Sequence, residues 1–490
     1  MVVGTNDPRY PSLITPWNRR FEGSPQNVHL VYNAKQVAEV VGAAVAANKR
    51  FAVRSGGHSF ENLTSSPDIQ ELIDLSQMSD IYYDPKRRAF AIESGATLGK
   101  VYDTLVKGWA VTIPGGICPG VGVGGHIAGG GYGFLSRRYG LAADYLYAVE
   151  VVTVDKSGKP RIVVATRDEG DPNRDLWWAH TGGGGGNFGV VTRYWMRRPG
   201  TDSTDPADLL PRAPATMIRR AVVMSWDQLD RTSFLKFFRN YTNWYEQNSA
   251  PDSPNANLWG GFFTFHKSAG PVGFIVGVDS GVPNAQALVD AHVEAVMSGV
   301  GVQPASDTTE FAPYLDDRNW QSEPDSRSKD KAANLRKGFS DSQLATIYRR
   351  LTDPEPTNAG AALTMSGYGG RINAVASDAT ATADRDCVLR VYFTGGRWTS
   401  PADDAKNIKW IREFYRDVFS ETGGVPVPNA INGGSYINYI DADLADPAWN
   451  TSGTSWAELY YKSNYPRLQQ IKKRYDPRNV FHHALSIVPR

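Results

Sequence analysis

The chain has 490 residues, 41% of them hydrophobic and 21% charged, with Lys and Arg at 52 against Asp and Glu at 51. That length allows two or three domains with a substantial core. The near-balance of charge removes the field that would draw nucleic acid or an anionic membrane, and two cysteines are too few for a disulfide framework.

No apolar run reaches the length of a membrane span, and Met1 to Pro8 lack the basic and apolar regions of a signal peptide. The expectation is a soluble, cytoplasmic protein, or an exported one if a leader has been removed. In chain order, residues 33–49 predict an amphipathic helix: Asn33 is the N-cap, Gln36 follows three positions on, and Val37, Val40, Val41, Ala44 and Val45 form one stripe. A β-like Phe51-Ala52-Val53 leads into Arg54-Ser55-Gly56-Gly57-His58-Ser59-Phe60. Glycines there leave backbone N–H groups open to converge on an anion such as pyrophosphate, with an imidazole alongside.

A second helix is expected over 97–107. It precedes a second glycine-rich frame, Pro114-Gly115-Gly116-Ile117-Cys118-Pro119-Gly120-Val121-Gly122. The glycines continue to Gly133, so a backbone there can press flat against a planar ligand with a thiol at its edge. Gly120, Gly122 and Gly125 have GxGxxG spacing, but no βαβ unit with an acidic residue about 20 positions further on accompanies them, so a Rossmann reading fails. A strand is expected over 148–154.

Near residue 205 a Pro/Asp-rich segment marks a boundary. Beyond it, strands at 258–265, 272–278, 361–368 and 387–393, with helices at 285–297 and 405–419, predict an antiparallel sheet backed by helices. The fold class is α+β, divided into 1–204, 205–430 and a C-terminal return at 431–490. The polar stretch 320–334 reads as a solvated loop or lid edge.

The two glycine frames, with Gly129 to Arg137, Gly140 to Asp144, Asp175 to Trp178, Gly182 to Gly189, Tyr436 to Asp441 and Asp476 to Phe481, resemble the berberine-bridge-enzyme-like flavin oxidases of the vanillyl-alcohol oxidase superfamily. The resemblance implies a two-lobed FAD-binding domain and a substrate domain. It implies FAD bound covalently through His58 and Cys118, with Arg54, Ser55, Gly56, Gly57, Ser59, Val121, Gly122, Gly125, His126, Gly130, Gly133 and Asn438 around it. Val121 stands where relatives carry a small residue that admits oxygen to the reduced flavin, which favours an oxidase.

Oxidising an alcohol requires a base for the hydroxyl proton, since FAD supplies the redox chemistry. The resemblance puts tyrosines of the Tyr436-Ile437-Asn438-Tyr439 strand over the flavin, with Tyr439 as base, Tyr436 beside it and Tyr368 as partner. A phenol with an ordinary pKa of about 10 needs help to act near neutrality, which a second phenol sharing the proton would give. The expected reaction oxidises a hydroxyl on a bulky glycoside, oligosaccharide or secondary metabolite, a small-molecule substrate, and reduces O2 to H2O2. Oxidative ring closure and a flavoprotein without turnover stay open. A zinc hydrolase does not fit, because the eight histidines include no HExxH. Trp259, Phe263 and Arg371 are candidate substrate contacts that core packing or surface charge explains equally well; the hydroxyl attacked and the oligomeric state are not legible.

Overall fold

The structure is a computed structural model, and it describes residues 1–321, 326–354, 358 and 360–490. Among these, the strands form three sheets. The first holds β1 (Val2–Gly4), β2 (Asn27–Leu30), β3 (Phe51–Arg54) and β4 (Glu71–Asp74) in the order β1-β2-β4-β3. β2, β4 and β3 run parallel. The second holds β5 (Ile81–Asp84), β6 (Ala89–Glu93), β7 (Leu146–Val154), β8 (Pro160–Thr166) and β9 (Val190–Met196), all antiparallel.

Local chemistry starts the helices where the sequence predicts. Asn33 accepts a hydrogen bond from the Gln36 N–H at 3.0 Å, and the helix Ala34–Ala46 buries Val37, Val41 and Ala44. Thr97 caps Leu98–Trp109 in the same way. At the end of β3, Arg54 pairs with Asp74 in register on β4, Nη2 to Oδ2 at 2.5 Å. The loop carrying His58 therefore leaves a sheet whose last rung is fixed by a charge-assisted pair.

The third sheet contains β10 (Thr216–Met224), β11 (Trp259–Phe265), β12 (Val272–Asp279), β13 (Ser306–Pro313), β14 (Asp330–Leu335), β15 (Ala362–Gly367) and β16 (Leu389–Thr394). Its order is β13-β10-β12-β11-β15-β16-β14, with every pairing antiparallel. Period-two alternation divides its faces. Phe262 packs on Phe237 and Phe238 of the helix Arg231–Gln247, each at 5.1 Å between centroids, while Trp259, Phe263 and Phe265 face a cavity on the other side.

Two expectations are corrected here. Residues 326–335 are not a solvated loop: Arg327 to Leu335 are buried and Asp330–Leu335 is a strand, while 322–325 lie outside the described residues. The charges that made the stretch look exposed are paired, as the site shows. The Tyr436 segment is not a strand either. Tyr436 is extended, but Ile437–Tyr439 is a 3-10 turn, because Asn438 turns inward and donates to the His126 carbonyl oxygen at 2.9 Å.

Candidate active site

A cavity of about 730 Å³ runs from β3 and β9 across the two glycine frames to the inner face of the third sheet. This volume lies within the range of small-molecule and cofactor sites. His58, Cys118, Arg54, Ser55, Gly56, Gly57, Ser59, Val121, Gly122, Gly125, His126, Gly133, Asn438, Tyr436 and Tyr439 all line it. Gly130 and Tyr368 do not. Gly130 is turned against Thr382, and Tyr368 is fully buried in a separate cluster with Tyr132, Leu141, Ile372 and Cys387. Trp259 and Phe263 line the cavity as well, whereas Arg371 is exposed on a 3-10 turn outside it.

The two frames meet backbone to backbone. Gly56 and Gly122 approach so closely that neither has room for a Cβ, and a Cβ on Gly120 would sit 3.1 Å from His58 Nε2. The Ser55 hydroxyl donates to the Ser94 carbonyl oxygen at 2.5 Å and accepts from the Gly124 N–H at 3.3 Å. His58 is held flat by Trp17, with centroids 5.3 Å apart and planes at 18°. The Cys118 frame is tied by Tyr102 Oη to the Gly116 carbonyl oxygen at 2.6 Å and by the Gln321 N–H to the Ile117 oxygen at 3.1 Å.

His126 braces the frames from behind. Burial holds its pKa down at about 4, so the ring is neutral, and its Nε2 accepts the Gly116 N–H at 3.0 Å. That bond fixes the tautomer with the proton on Nδ1. At the other end, the C-terminal segment is anchored by the fully buried Lys472, whose Nζ donates to Asp476 at 2.6 Å and to the Asn187 oxygen at 2.6 Å. This anchoring brings His483 to the cavity wall with a buried Nδ1 that has no hydrogen-bond partner.

These features fit FAD. A Cβ on Gly125 would meet nothing within 4 Å, so the glycine opens onto space inside the cavity, and Gly185 packs next to it, its Cβ position 3.6 Å from Gly125 Cα. A glycine-lined slot beside a buried unpaired imidazole nitrogen suits a large planar ligand with polar edges.

Aromatic rings close the opposite side. Phe60 stacks on Tyr439 at 5.2 Å and 16°, Tyr392 lies 5.5 Å from Tyr439, and Tyr436 meets Tyr439 edge-on at 5.2 Å. Burial, and then the neighbouring Tyr436, push the Tyr439 phenol well above its ordinary value. Tyr436 is also raised by burial, but the Arg390 charge, the Asn438 amide at 2.9 Å and the Gly131 N–H all oppose the rise. Arg390, which sequence reasoning missed, is 2% exposed; its guanidinium carbon lies 3.5 Å from the Tyr436 centroid and 4.4 Å from that of Tyr368. Tyr368 thus touches the same cation without reaching the cavity. The alternation of Arg390 and Tyr392 along β16 was the signal that could have found both.

Behind the stack lies a buried ion network. Lys329 Nζ contacts Glu61 and reaches Asp441 at 2.7 Å, Lys331 Nζ reaches Asp441 at 2.6 Å and Asp443 at 2.8 Å, and Arg412 reaches Asp443 at 2.7 Å. Burial alone would raise the Asp443 carboxyl, but Lys331, Lys329 and Arg412 hold it well below the usual range. Glu61 follows Phe60 directly and Asp441 is two residues after Tyr439, so Lys329 fastens both halves of the Phe60–Tyr439 stack.

Comparison with known proteins agrees with this architecture. Residues 25–160 match the family described as FAD binding domain, and 435–488 match berberine and berberine like. The chain is 49% identical to aclacinomycin-N/aclacinomycin-A oxidase of Streptomyces galilaeus, over 99% of this chain and 89% of the relative. It is 31% identical to hexose oxidase of Chondrus crispus, over 98% and 93%. A solved glycopeptide hexose oxidase complexed with teicoplanin superposes with a TM-score of 0.95 at 48% identity, covering 100% of this chain and 99% of that one. Among the described residues no helix is long and apolar enough to cross a membrane. The glycine cradle, the tyrosines facing it and these likenesses place the chain among the berberine-bridge-enzyme-like FAD-linked oxidases of the vanillyl-alcohol oxidase superfamily.

Proposed function

We infer that the protein oxidises a hydroxyl group on a bulky glycosylated metabolite, with FAD tethered by His58 and Cys118 and with Tyr439 as the base. The carrying observation is that one continuous cavity joins both glycine frames to the Tyr436–Tyr439 pair. A bound FAD would supply the redox chemistry, with O2 as the final electron acceptor. The substrates named for the relatives, an aclacinomycin, a hexose and a glycopeptide, support a bulky or sugar-bearing substrate.

The remaining chemistry belongs to the chain. Tyr439 faces the cavity and removes the hydroxyl proton; Arg390 favours the ionised form of both phenols, and Asn438 and the Gly131 N–H hold Tyr436 beside them. Trp17 fixes the His58 ring plane, and Arg397 links that pair to the third sheet: its guanidinium lies 5.0 Å from the Trp17 centroid and donates to Tyr392 Oη at 3.1 Å. A tethered cofactor needs no wall closing over it, which leaves the third-sheet side of the cavity for substrate. Carboxylate-assisted ring closure finds no support here, since no Asp or Glu is among the described residues lining the cavity.

The test is a peroxide assay over glycosylated polyols, free sugars and N-methyl alkaloids, with anaerobic bleaching of the flavin as a second readout. Turnover of hydroxylated glycosides alone, cut roughly 10²–10⁴-fold by Tyr439→Phe, supports the reading. Turnover of the alkaloids alone contradicts it.

A further inference from the structure

Arg390 is a buried cation with idle donors. Its Nε donates to Asn334 Oδ1 of β14 at 3.0 Å, but among the described residues neither Nη1 nor Nη2 has a hydrogen-bond partner. Three phenol rings surround it instead, with centroids at 3.5 Å for Tyr436, 4.4 Å for Tyr368 and 5.0 Å for Tyr132. A guanidinium stays charged inside a protein, so burial calls for an opposing charge nearby. Asp384, in the segment leading into β16, supplies it from a distance: its Oδ2 is 3.7 Å from Arg390 Nη2, too far for a hydrogen bond.

Asp384 is engaged on its other side. Lys462 Nζ donates to Asp384 Oδ1 at 2.8 Å and to the Ala383 oxygen at 3.3 Å. To reach them, Lys462 leaves the helix Trp456–Tyr461 at φ 50° and ψ −131°, a strained backbone for a residue with a side chain. Strain of this kind persists only where the surroundings fix it, and it collects at functional sites. Beyond Lys462 the row reaches solvent at the half-exposed Asp386, 3.9 Å from Nζ and paired with Arg336 at 2.7 Å. Two further charges face the cluster, Arg385 and Asp144, and they pair with each other at 2.6 Å; burial pushes the Cys387 thiol up, so it stays neutral. Neither Asp384 nor Lys462 lines the cavity.

Charges of alternating sign therefore run outward from Tyr436: Arg390, Asp384, Lys462, Asp386. Burial raises the Tyr436 phenol, Arg390 opposes the rise, and Asp384 adds to it. A close, hydrogen-bonded carboxylate would quench the Arg390 charge, whereas one drawn off by a lysine leaves it facing the rings. We propose that Asp384 and Lys462 are positioning residues that set, from outside the cavity, the positive field Arg390 presents to Tyr436 and Tyr439. Asp384 weakens that field, and Lys462 strengthens it by offsetting Asp384 and holding it back. The assignment rests on the reading of Tyr439 as base, and it gives the two residues effects of opposite sign.

The experiment titrates the flavin-loaded protein with alkali, without substrate, and follows the flavin absorbance, which responds to charge forming beside the ring system. The transition that Tyr439→Phe or Tyr436→Phe abolishes belongs to the phenols. Asp384→Asn is expected to move it down by roughly half a pH unit or more and Lys462→Met to move it up by a similar amount, charges in direct contact being worth about 1–3 units. The double variant returns close to the wild type, and Asp384→Glu restores the wild-type position. Retained flavin absorbance marks each variant as folded, and where Asp384→Asn loses its flavin, Lys462→Met decides alone. An unmoved transition in Lys462→Met, shifts of one sign in both variants, or the absence of any tyrosine-dependent transition overturns the assignment. The base reading fails separately: full peroxide production by Tyr439→Phe would remove it, while opposite shifts of a Tyr436 transition would leave the roles of Asp384 and Lys462 standing.

Discussion

The buried Arg390 guanidinium lies 3.5 Å from the centre of the Tyr436 ring, which faces the cavity. A cation over a π-face attracts the ring and favours its ionised form more strongly still. Arg390→Met removes that support, so Tyr439, the proposed base, titrates at higher pH. The acidic limb of the kcat profile is expected to move up by one pH unit or more, each unit corresponding to about 1.4 kcal/mol of lost interaction with the buried charge. An unmoved limb would take Arg390 out of the account.

Lys329 joins Glu61 to Asp441 while fully enclosed. Removing one partner of a buried pair leaves uncompensated charge, at a cost of about 3–5 kcal/mol. Lys329→Met is therefore expected to lower the thermal midpoint by several degrees and kcat more than KM, because the Phe60–Tyr439 stack loses its fastening. Adding Glu61→Gln removes one of the stranded carboxylates and recovers part of the midpoint. Differential scanning calorimetry with steady-state kinetics reads both.

Gly125 opens onto the cavity, and a branched side chain there would fill the slot proposed for the flavin. Gly125→Val is expected to give folded protein without yellow colour, whereas Gly108→Ala, equally open but on a surface helix, keeps it. Circular dichroism and visible absorbance together separate loss of cofactor from loss of fold.

Burial holds His126, His180 and His483 neutral down to about 4, and His292 down to about 3, against an ordinary 6.5. The unfolded chain takes up these protons first, so the stability they contribute is complete above about pH 6.5. It is lost as pH falls towards 4, by about 1.4 kcal/mol per histidine for each pH unit. Thermal midpoints at pH 7.5 and 5 should differ markedly, and His292→Phe, set among Trp244, Tyr241 and Tyr245, should narrow the gap.

Local signals were legible where backbone chemistry is local. Asn33 caps its helix as read, the helix expected over 97–107 runs Leu98–Trp109, and the four strands predicted between 258 and 393 appear with ends shifted by a few residues. Both glycine frames face one cavity, since their glycines answer to close backbone approach. Long-range contacts were not legible. Lys329 and Lys331 look solvated in sequence because their carboxylates lie more than a hundred residues away. Tyr368 looked like a partner of Tyr439 by resemblance, yet Gly369 and Gly370, both at positive φ, follow it as the chain turns away and Tyr368 packs against Tyr132. β10 and β14 were missed because the adjacent Arg219 and Arg220 in one, and Asp330 and Lys331 in the other, break the apolar pattern that marks a strand, and only residues distant in sequence bury them.

A flavin held by two covalent bonds would stay with the unfolded chain, so intact mass after denaturing precipitation is the decisive measurement. The precipitated chain is expected to stay yellow and carry the mass of one FAD, His58→Ala and Cys118→Ala each to retain it, and only the double variant to release it. Free FAD in the supernatant of the wild-type protein would contradict the tethering and reopen the roles given to both residues.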